Sequence, residues 1–145
     1  MSGVSFLDSN ILVYTDDHDA PEKQAIALAL VEAGQANRDA FVSTQTLEEY
    51  FSAATKKLKV PAATARGKVE LFAQLQVVPI TVDDVLGAID VHRLHQISFW
   101  DALLVQTARR AGCTTLLTED LQDGRRFDGL VVRNPFLSRH FPDRA

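Results

Sequence analysis

The chain has 145 residues, of which 46% are apolar and 23% charged, and this composition is typical of one globular domain with a sizeable hydrophobic core. Its net charge of −4 does not indicate a general nucleic-acid binder, and its single cysteine, Cys113, excludes an internal disulfide. No secretory signal and no apolar run long enough to cross a bilayer is present in the sequence, so we expect a cytoplasmic protein.

Apolar runs with strand character alternate along the chain with helical patterns. This alternation predicts an α/β fold with a mainly parallel central sheet flanked by helices. The predicted strands lie near residues 4–7, 40–43, 76–80, 114–118 and 130–133. Two prolines mark helix starts, Pro21 at a first helical position and Pro61 at the start of a helix over 61–75. Three pairs have the spacing of a capping box, namely Thr46 with Glu49, Thr81 with Asp84, and Ser98 with Asp101. Gly112 marks the end of the helix that follows Ser98.

Four acidic residues fall where such a fold brings them to one edge of the sheet. Asp8 follows the first strand and Asp120 the fourth, while Glu49 and Asp101 lie near the starts of two predicted helices. The ends of parallel strands and the helix starts that follow them share one edge, so we expect the four carboxylates to be neighbours. Their mutual repulsion favours a cation between them. The sequence therefore predicts a site for Mg²⁺ or Mn²⁺, which prefer oxygen ligands.

Each acid also has an ordinary structural interpretation. Asp8 can cap the helix that follows it, and Asp101 can do the same from the first turn of its helix. Glu48 stands beside Glu49, and the apolar period barely distinguishes the two. The histidines show no metal-ligand spacing, so no zinc site is predicted. Only the joint placement of the four acids favours a functional site.

Basic residues are unevenly distributed along the chain. Residues 1–50 contain two basic and nine acidic residues, whereas residues 51–145 contain thirteen basic and ten acidic residues. The candidate phosphate-binding residues form two groups, Lys56, Lys57 and Arg66 on a predicted helical hairpin over 44–75, and Arg109, Arg110, Arg125 and Arg126 further along. Such clusters either contact nucleic-acid phosphates or form solvated helix faces.

Four segments together resemble the motifs of PIN domains. They are residues 6–14 (FLDSNILVY), 43–51 (STQTLEEYF), 98–104 (SFWDALL) and 116–124 (LLTEDLQDG), and they occur in the family's order over nearly the whole chain. Residues 130–136 (LVVRNPF) resemble the ending of a bacterial subgroup close to VapC toxins. Each motif is weak alone, but the ordered set of four is specific.

The resemblance implies one PIN domain over residues 1–145, acting as a metal-dependent endoribonuclease and as the toxin of a toxin–antitoxin pair. It implies Mg²⁺ or Mn²⁺ as cofactor, RNA as substrate, a small antitoxin as inhibitor, and a homodimer. The implied site consists of Asp8, Glu49, Asp101 and Asp120, with Asn10 and Thr118 as auxiliary residues and Asp123 as an alternative to Asp120. For both protein partners we expect exposed apolar residues on the helix over 22–37 and on the hairpin.

Two alternatives remain open. The same scaffold could serve a DNA-acting or structure-specific nuclease, although the chain lacks the long insertions usual in such enzymes. It could also be a non-catalytic module whose acids hold an ion or a basic partner. A phosphoacceptor receiver domain is disfavoured, because Asp8 is followed by Ser9 and Asn10 and no lysine occurs beyond Lys68.

Overall fold

The computed structural model describes residues 3–137, and within them a central sheet has the strand order β3-β2-β1-β4-β6-β5. The strands are β1 (Ser5–Leu7), β2 (Ala40–Ser43), β3 (Gln76–Val78), β4 (Thr115–Leu117), β5 (Arg126–Phe127) and β6 (Leu130–Arg133). Neighbouring strands are parallel except β5, which pairs antiparallel with β6 at one edge. The predicted α/β class with a mainly parallel sheet is confirmed.

Helices cover both faces of this sheet. They are α1 (Ser9–Tyr14), α2 (Pro21–Asn37), α3 (Thr44–Lys56), α4 (Ala62–Phe72), α5 (Val82–His95) and α6 (Phe99–Arg110). Successive residues of a strand point to opposite faces, so Phe6 joins the core beneath α5 and α6, while Leu7 joins the core beneath α1 to α4. Among the described residues no helix has the length and apolar character needed to cross a bilayer.

One local prediction is wrong, and one strand was not predicted. Thr46 and Glu49 do not start α3, because Ser43 caps that helix and Thr46 is its capping-box partner. The Ser43 amide donates to the Thr46 hydroxyl at 2.8 Å, and Glu49 therefore lies in the second turn. The antiparallel strand β5 was not predicted, since a pair of residues is too short to show an alternating pattern.

The other helix signals are confirmed. Pro21 occupies the first position of α2, and Thr81 forms a capping box with Asp84. Ser98 accepts a hydrogen bond from the Asp101 amide at the start of α6. Gly112 has a φ of +80°, which favours glycine, and it turns the chain from α6 toward β4.

Candidate functional site

The site is built around Asp8, which is 5% exposed at the end of β1. Its Oδ1 accepts a hydrogen bond of 2.6 Å from the Ser9 amide and caps α1. Its Oδ2 accepts one of 2.7 Å from the Thr118 hydroxyl at the end of β4. The Asp8 amide also donates to the Leu117 carbonyl at 3.0 Å, which fixes the two strand ends side by side. Asp8 therefore caps a helix with one oxygen and presents the other to the edge of the sheet.

Asn10 links Asp8 to Asp120. Its Nδ2 lies 3.3 Å from Asp8 Oδ2 and 3.1 Å from both Thr118 Oγ1 and Asp120 Oδ2. The Asp120 amide donates to Thr118 Oγ1 at 3.0 Å, so Thr118 holds this loop against β1. The other amide atom, Asn10 Oδ1, is buried without a hydrogen-bond partner. The Asn10 amide nitrogen thus lies between two carboxylates, and its amide oxygen has lone pairs that accept no hydrogen bond.

Glu49 and Asp101 approach the same edge from α3 and α6. Gln45, which is buried in the first turn of α3, donates from Nε2 to Glu49 Oε2 and to the Trp100 carbonyl, both at 3.3 Å. This contact joins α3 to the start of α6. Glu48 is exposed whereas Glu49 is half-buried, which separates the two residues that periodicity could not. Gln45 was not among the predicted site residues, although its polar side chain one helical turn before Glu49 was the available signal in the sequence.

The electrostatics show that these acids influence one another. The pKa of Asp8 is raised from 3.8 to about 6, chiefly by desolvation and to a smaller extent by the charges of Asp120 and Glu49. The hydrogen bonds from Thr118 and Ser9 act in the opposite direction and lower it. Desolvation and the charge of Asp120 also raise the pKa of Asp101. Of the ion pairs among residues 3–137, none involves the four acids. Within this part of the chain, the four carboxylates are therefore not neutralised by direct ion pairs.

The donor atoms fit a hard divalent cation, although the side chains are not closed around one. Within the described part of the chain, no three His, Cys, Asp or Glu side chains are gathered tightly enough to hold an ion as they stand. The available donors are carboxylate oxygens and the unused Asn10 Oδ1, which are the ligand types that Mg²⁺ and Mn²⁺ prefer. Side-chain rotation of the half-buried Glu49 and Asp101 and the exposed Asp120 would be needed to complete such a set.

The alternative acid, Asp123, lies in a different setting. Its Oδ1 accepts a hydrogen bond of 2.8 Å from the Asn134 amide, which fastens the chain that leaves β6. Asp120 instead contacts Asn10 and acts on the pKa of Asp8. This geometry favours Asp120 as the fourth acid.

A hydrogen-bonded cluster of Tyr14, Lys23 and Glu119, called the clasp below, holds the loop that carries Asp120. Tyr14 donates to Glu119 Oε1 at 2.6 Å, and Lys23 Nζ lies 3.0 Å from Glu119 Oε2 and 3.2 Å from the Tyr14 hydroxyl. Lys23 also lies 4.9 Å above the Tyr14 ring and 5.5 Å above that of Phe136. The clasp joins α1, α2, the loop after β4 and the chain after β6, so it limits the movement of the neighbouring Asp120.

An open pocket lies between α1, α3 and the loop after β4. Asn10 and Asp120 line it together with Lys57 at the end of α3. Lys57 thus shares this pocket with Asp120, one of the four site acids. Lys56 is exposed on α3, and Arg66 forms an exposed ion pair with Glu70 at 3.3 Å.

The second basic group is not brought to the acids. Arg109 and Arg110 lie in the last turn of α6, about 12 Å of helical rise from Asp101 in its first turn. Arg109 pairs with Asp128, and Arg110 pairs with Asp84. Both arginines therefore form ion pairs within the fold, and their contact with RNA phosphates remains a prediction.

Arg125 and Arg126 belong to the antiparallel edge of the sheet. The Arg125 guanidinium donates to the His95 carbonyl at 3.1 Å and lies 4.8 Å above the Phe127 ring. Arg126 pairs with Val131 in the β5–β6 ladder. Within residues 3–137, these contacts of the two arginines are to neighbouring protein groups and not to the site acids.

Comparison with known proteins identifies the family. The PIN domain model matches residues 5–128, so the chain belongs to the PIN domain family, as its motifs predicted. A toxin–antitoxin complex from Klebsiella pneumoniae matches with 20% identity and a TM-score of 0.65, covering 90% of this chain and 97% of the other. VapBC2 from Rickettsia felis, solved with a DNA fragment from its promoter, also has 20% identity and a TM-score of 0.65, covering 90% and 98%.

A third similar structure is VapC20 from Mycobacterium tuberculosis, described as a sarcin–ricin loop cleaving toxin. It has 19% identity and a TM-score of 0.61, and the match covers 77% of this chain and 86% of the other. No significant match to a protein of curated function was found. At these identities the solved structures establish the shared fold, while the family assignment rests on the matched PIN domain.

Proposed function

We propose that this chain is a metal-dependent endoribonuclease that acts as the toxin of a VapBC-type toxin–antitoxin pair. The observation that carries the proposal is the setting of Asp8. A carboxylate that is 5% exposed lies within the influence of Asp120 and Glu49; its pKa is raised to about 6 chiefly by its burial, and to a smaller extent by these two charges. Such an arrangement is costly for folding alone, and it is the arrangement expected of a site that binds a cation.

In this proposal Asp8, Asp101 and Asp120 bind one or two Mg²⁺ or Mn²⁺ ions, and Glu49 binds directly or through water. The ion, when bound, lowers the pKa of a water molecule and offsets charge on the scissile phosphate. Thr118 and Asn10 hold Asp8 and Asp120 in position through the contacts described above. Lys57, which lines the same pocket as Asp120, attracts an RNA phosphate.

The proposed chemistry is tested by RNA cleavage with purified variants. Asp8→Asn and Asp101→Asn should lose at least about a hundredfold in activity, because each removes a ligand charge. Glu49→Gln should also lose activity, whereas Glu48→Gln should retain it, since the exposed Glu48 is the matched control. EDTA should abolish wild-type cleavage and Mn²⁺ or Mg²⁺ should restore it. Full cleavage by Asp101→Asn in excess chelator would refute the metal site.

The toxin role is supported by the fold shared with toxin–antitoxin structures. Expression of the wild-type chain alone should arrest bacterial growth, and co-expression of a small antitoxin encoded beside it should restore growth. Asp101→Asn is the matched control, because it should fold without arresting growth. Normal growth with soluble, RNA-cleaving wild-type protein would contradict the toxin role while leaving the nuclease in place.

A further inference from the structure

Gln45 connects the helices of two site acids through one side-chain nitrogen. Its Nε2 donates to Glu49 Oε2 within α3 and to the Trp100 carbonyl at the start of α6, both at 3.3 Å. An amide nitrogen carries two hydrogens, so these contacts use both of them. Glu49 Oε2 is therefore held within twice 3.3 Å of the Trp100 carbonyl oxygen. Since Trp100 directly precedes Asp101, Gln45 ties one site acid to the backbone next to another.

The neighbours of Gln45 determine the orientation of its amide. The Glu49 carboxylate and the Trp100 carbonyl are both acceptors, so the amide nitrogen must face them. The reversed amide would place its oxygen against two other oxygens. Gln45 is only 6% exposed, and within residues 3–137 its Oε1 is buried without a hydrogen-bond donor. The amide thus uses its donor hydrogens and leaves its acceptor unpaired.

A purely structural role does not explain this half-satisfied amide. A buried amide oxygen without a partner costs free energy, and an apolar side chain of the same length would avoid that cost. The Trp100 carbonyl does not depend on Gln45, because regular helix geometry in α6 gives it the Leu104 amide as a donor. The contact that an apolar residue could not replace is the one to Glu49.

We propose that Gln45 is a positioning residue that orients Glu49 toward the cation site. This rests on the proposed function and deepens it, because it adds to that site a residue that does not touch the ion. The hydrogen bond occupies one oxygen of Glu49 and leaves the second to the ion or to its bound water. A carboxylate can rotate while it keeps such a bond, so the contact restricts Glu49 to orientations near α6. Hydrogen bonds to ligand side chains are a general means of tuning metal affinity.

Mn²⁺ affinity tests the proposal, with Gln45→Met as the variant. Met keeps the length of the side chain and removes the N–H donors together with the unpaired oxygen. Electron paramagnetic resonance measures free Mn²⁺ in titrations of the purified chain without RNA. We expect the Mn²⁺ dissociation constant to rise about tenfold, as for loss of a residue that hydrogen-bonds a metal ligand. The melting temperature in EDTA should not fall, because no buried oxygen remains unpaired.

Gln24→Met is the matched control. Gln24 Nε2 donates to the Thr15 carbonyl at 3.0 Å and so joins α2 to the end of α1, much as Gln45 joins α3 to α6. Within residues 3–137 its side-chain contacts are to Thr15 and His18 and not to a site acid. Gln24→Met should therefore bind Mn²⁺ with the wild-type affinity.

A double variant shows whether Gln45 acts through Glu49. Glu49→Ala should weaken Mn²⁺ binding at least as much as Gln45→Met does. In the Glu49→Ala background, Gln45→Met should cause no further loss of affinity, because the group that it positions is gone. A structural effect of Gln45 on the rest of the site would persist in that background.

The outcomes separate this proposal from the proposed function. If the wild type binds Mn²⁺ and Gln45→Met binds it equally well, the positioning role is overturned and the metal site stands. Wild-type affinity in Glu49→Ala overturns the positioning role whether or not Gln45→Met folds, and so does an undiminished effect of Gln45→Met in the Glu49→Ala background. If the wild type binds no Mn²⁺, the metal site of the proposed function itself fails, before any variant is compared.

Discussion

At the scale of the residue, Asp8 has two roles that the sequence analysis treated as alternatives. Its Oδ1 caps α1 through the Ser9 amide, and its Oδ2 faces Thr118 and Asn10. A carboxylate has enough lone pairs to serve both groups at once. The cap fixes the orientation of the side chain, and that orientation delivers the second oxygen to the site. The structural role therefore supports the functional one.

The raised pKa of Asp8 gives a pH-dependent stability. The folded chain binds more protons than the unfolded chain between pH values of about 4 and 6, so this group lowers the free energy of unfolding as pH rises through that window. Asp8→Asn should remove the effect. In EDTA at about pH 7.5 the variant should be more stable than the wild type by roughly 1–2 kcal/mol, and the gain should vanish at about pH 4.

Urea unfolding at the two pH values measures this difference, with Glu48→Gln as the control acid. Added Mn²⁺ should raise the melting temperature of the wild type more than that of Asp8→Asn, because binding to the folded state stabilises it. A stability difference that stays constant between the two pH values would show that Asp8 is not strained by its burial.

Much of the site could be predicted at this scale, because acids at strand ends and helix starts are visible in the sequence. The contact between Gln45 and Glu49 could not, since it depends on the packing of α3 against α6. Apolar periodicity could not decide between Glu48 and Glu49, and only the resemblance to PIN domains favoured Glu49. Adjacent helical residues differ by about 100° in direction, and the true start of α3 at Thr44 decides which one faces the site.

At the scale of the element, an ion pair fastens the start of α5 to the end of α6. Arg110 donates to Asp84 Oδ1 at 2.6 Å and Oδ2 at 2.7 Å, and also to the Pro79 carbonyl at 2.8 Å. Asp84 is fully buried and also completes the capping box with Thr81. The hydrogen bonds from Arg110 are the largest cause that lowers the pKa of Asp84 to about 2. Arg110 therefore stabilises the packing of α5 on α6, and its guanidinium is engaged by Asp84 rather than by the site acids.

Arg110→Met should destabilise the chain by about 2–3 kcal/mol, because it leaves a buried carboxylate without its main partner. The Arg110 side chain is 40% exposed, so solvent reduces the loss below that of a fully buried pair. Since the pKa of Asp84 is depressed, the wild-type advantage should be present above about pH 4 and disappear as pH falls toward about 2.

Chemical unfolding checks the value, and Arg109→Met is the matched control. Arg109 pairs with the mostly exposed Asp128, so its loss should cost less than about 1 kcal/mol. Combining Asp84→Asn with Arg110→Met should recover part of the stability, because the buried charge is removed. If Arg110→Met and Arg109→Met lower the free energy of unfolding equally, the burial of Asp84 does not strengthen its ion pair.

At the scale of the whole molecule, exposed apolar residues lie both on the elements that the sequence suggested and on one that it did not. On α2 and the α3–α4 hairpin, Leu28, Phe51 and Leu71 are exposed, while most of the other apolar residues of these helices pack in the core. The outer side of α5 also exposes Val82, Val85, Leu86 and Ile89, with helical spacing. Sequence could not assign these faces, because an apolar stripe looks the same whether it faces the sheet or solvent.

We therefore expect self-association through α5. Leu86→Glu with Ile89→Glu should convert a homodimer to a monomer, since charges in the middle of an apolar interface are costly to desolvate. Leu28→Glu with Leu71→Glu is the matched control, because both residues are exposed on α2 and α4. Sedimentation of each variant at micromolar concentration measures the mass. If only the double variant Leu28→Glu and Leu71→Glu loses the dimer, the interface lies on α2 and α4, as the sequence first suggested. A wild-type monomer at every concentration would exclude the dimer.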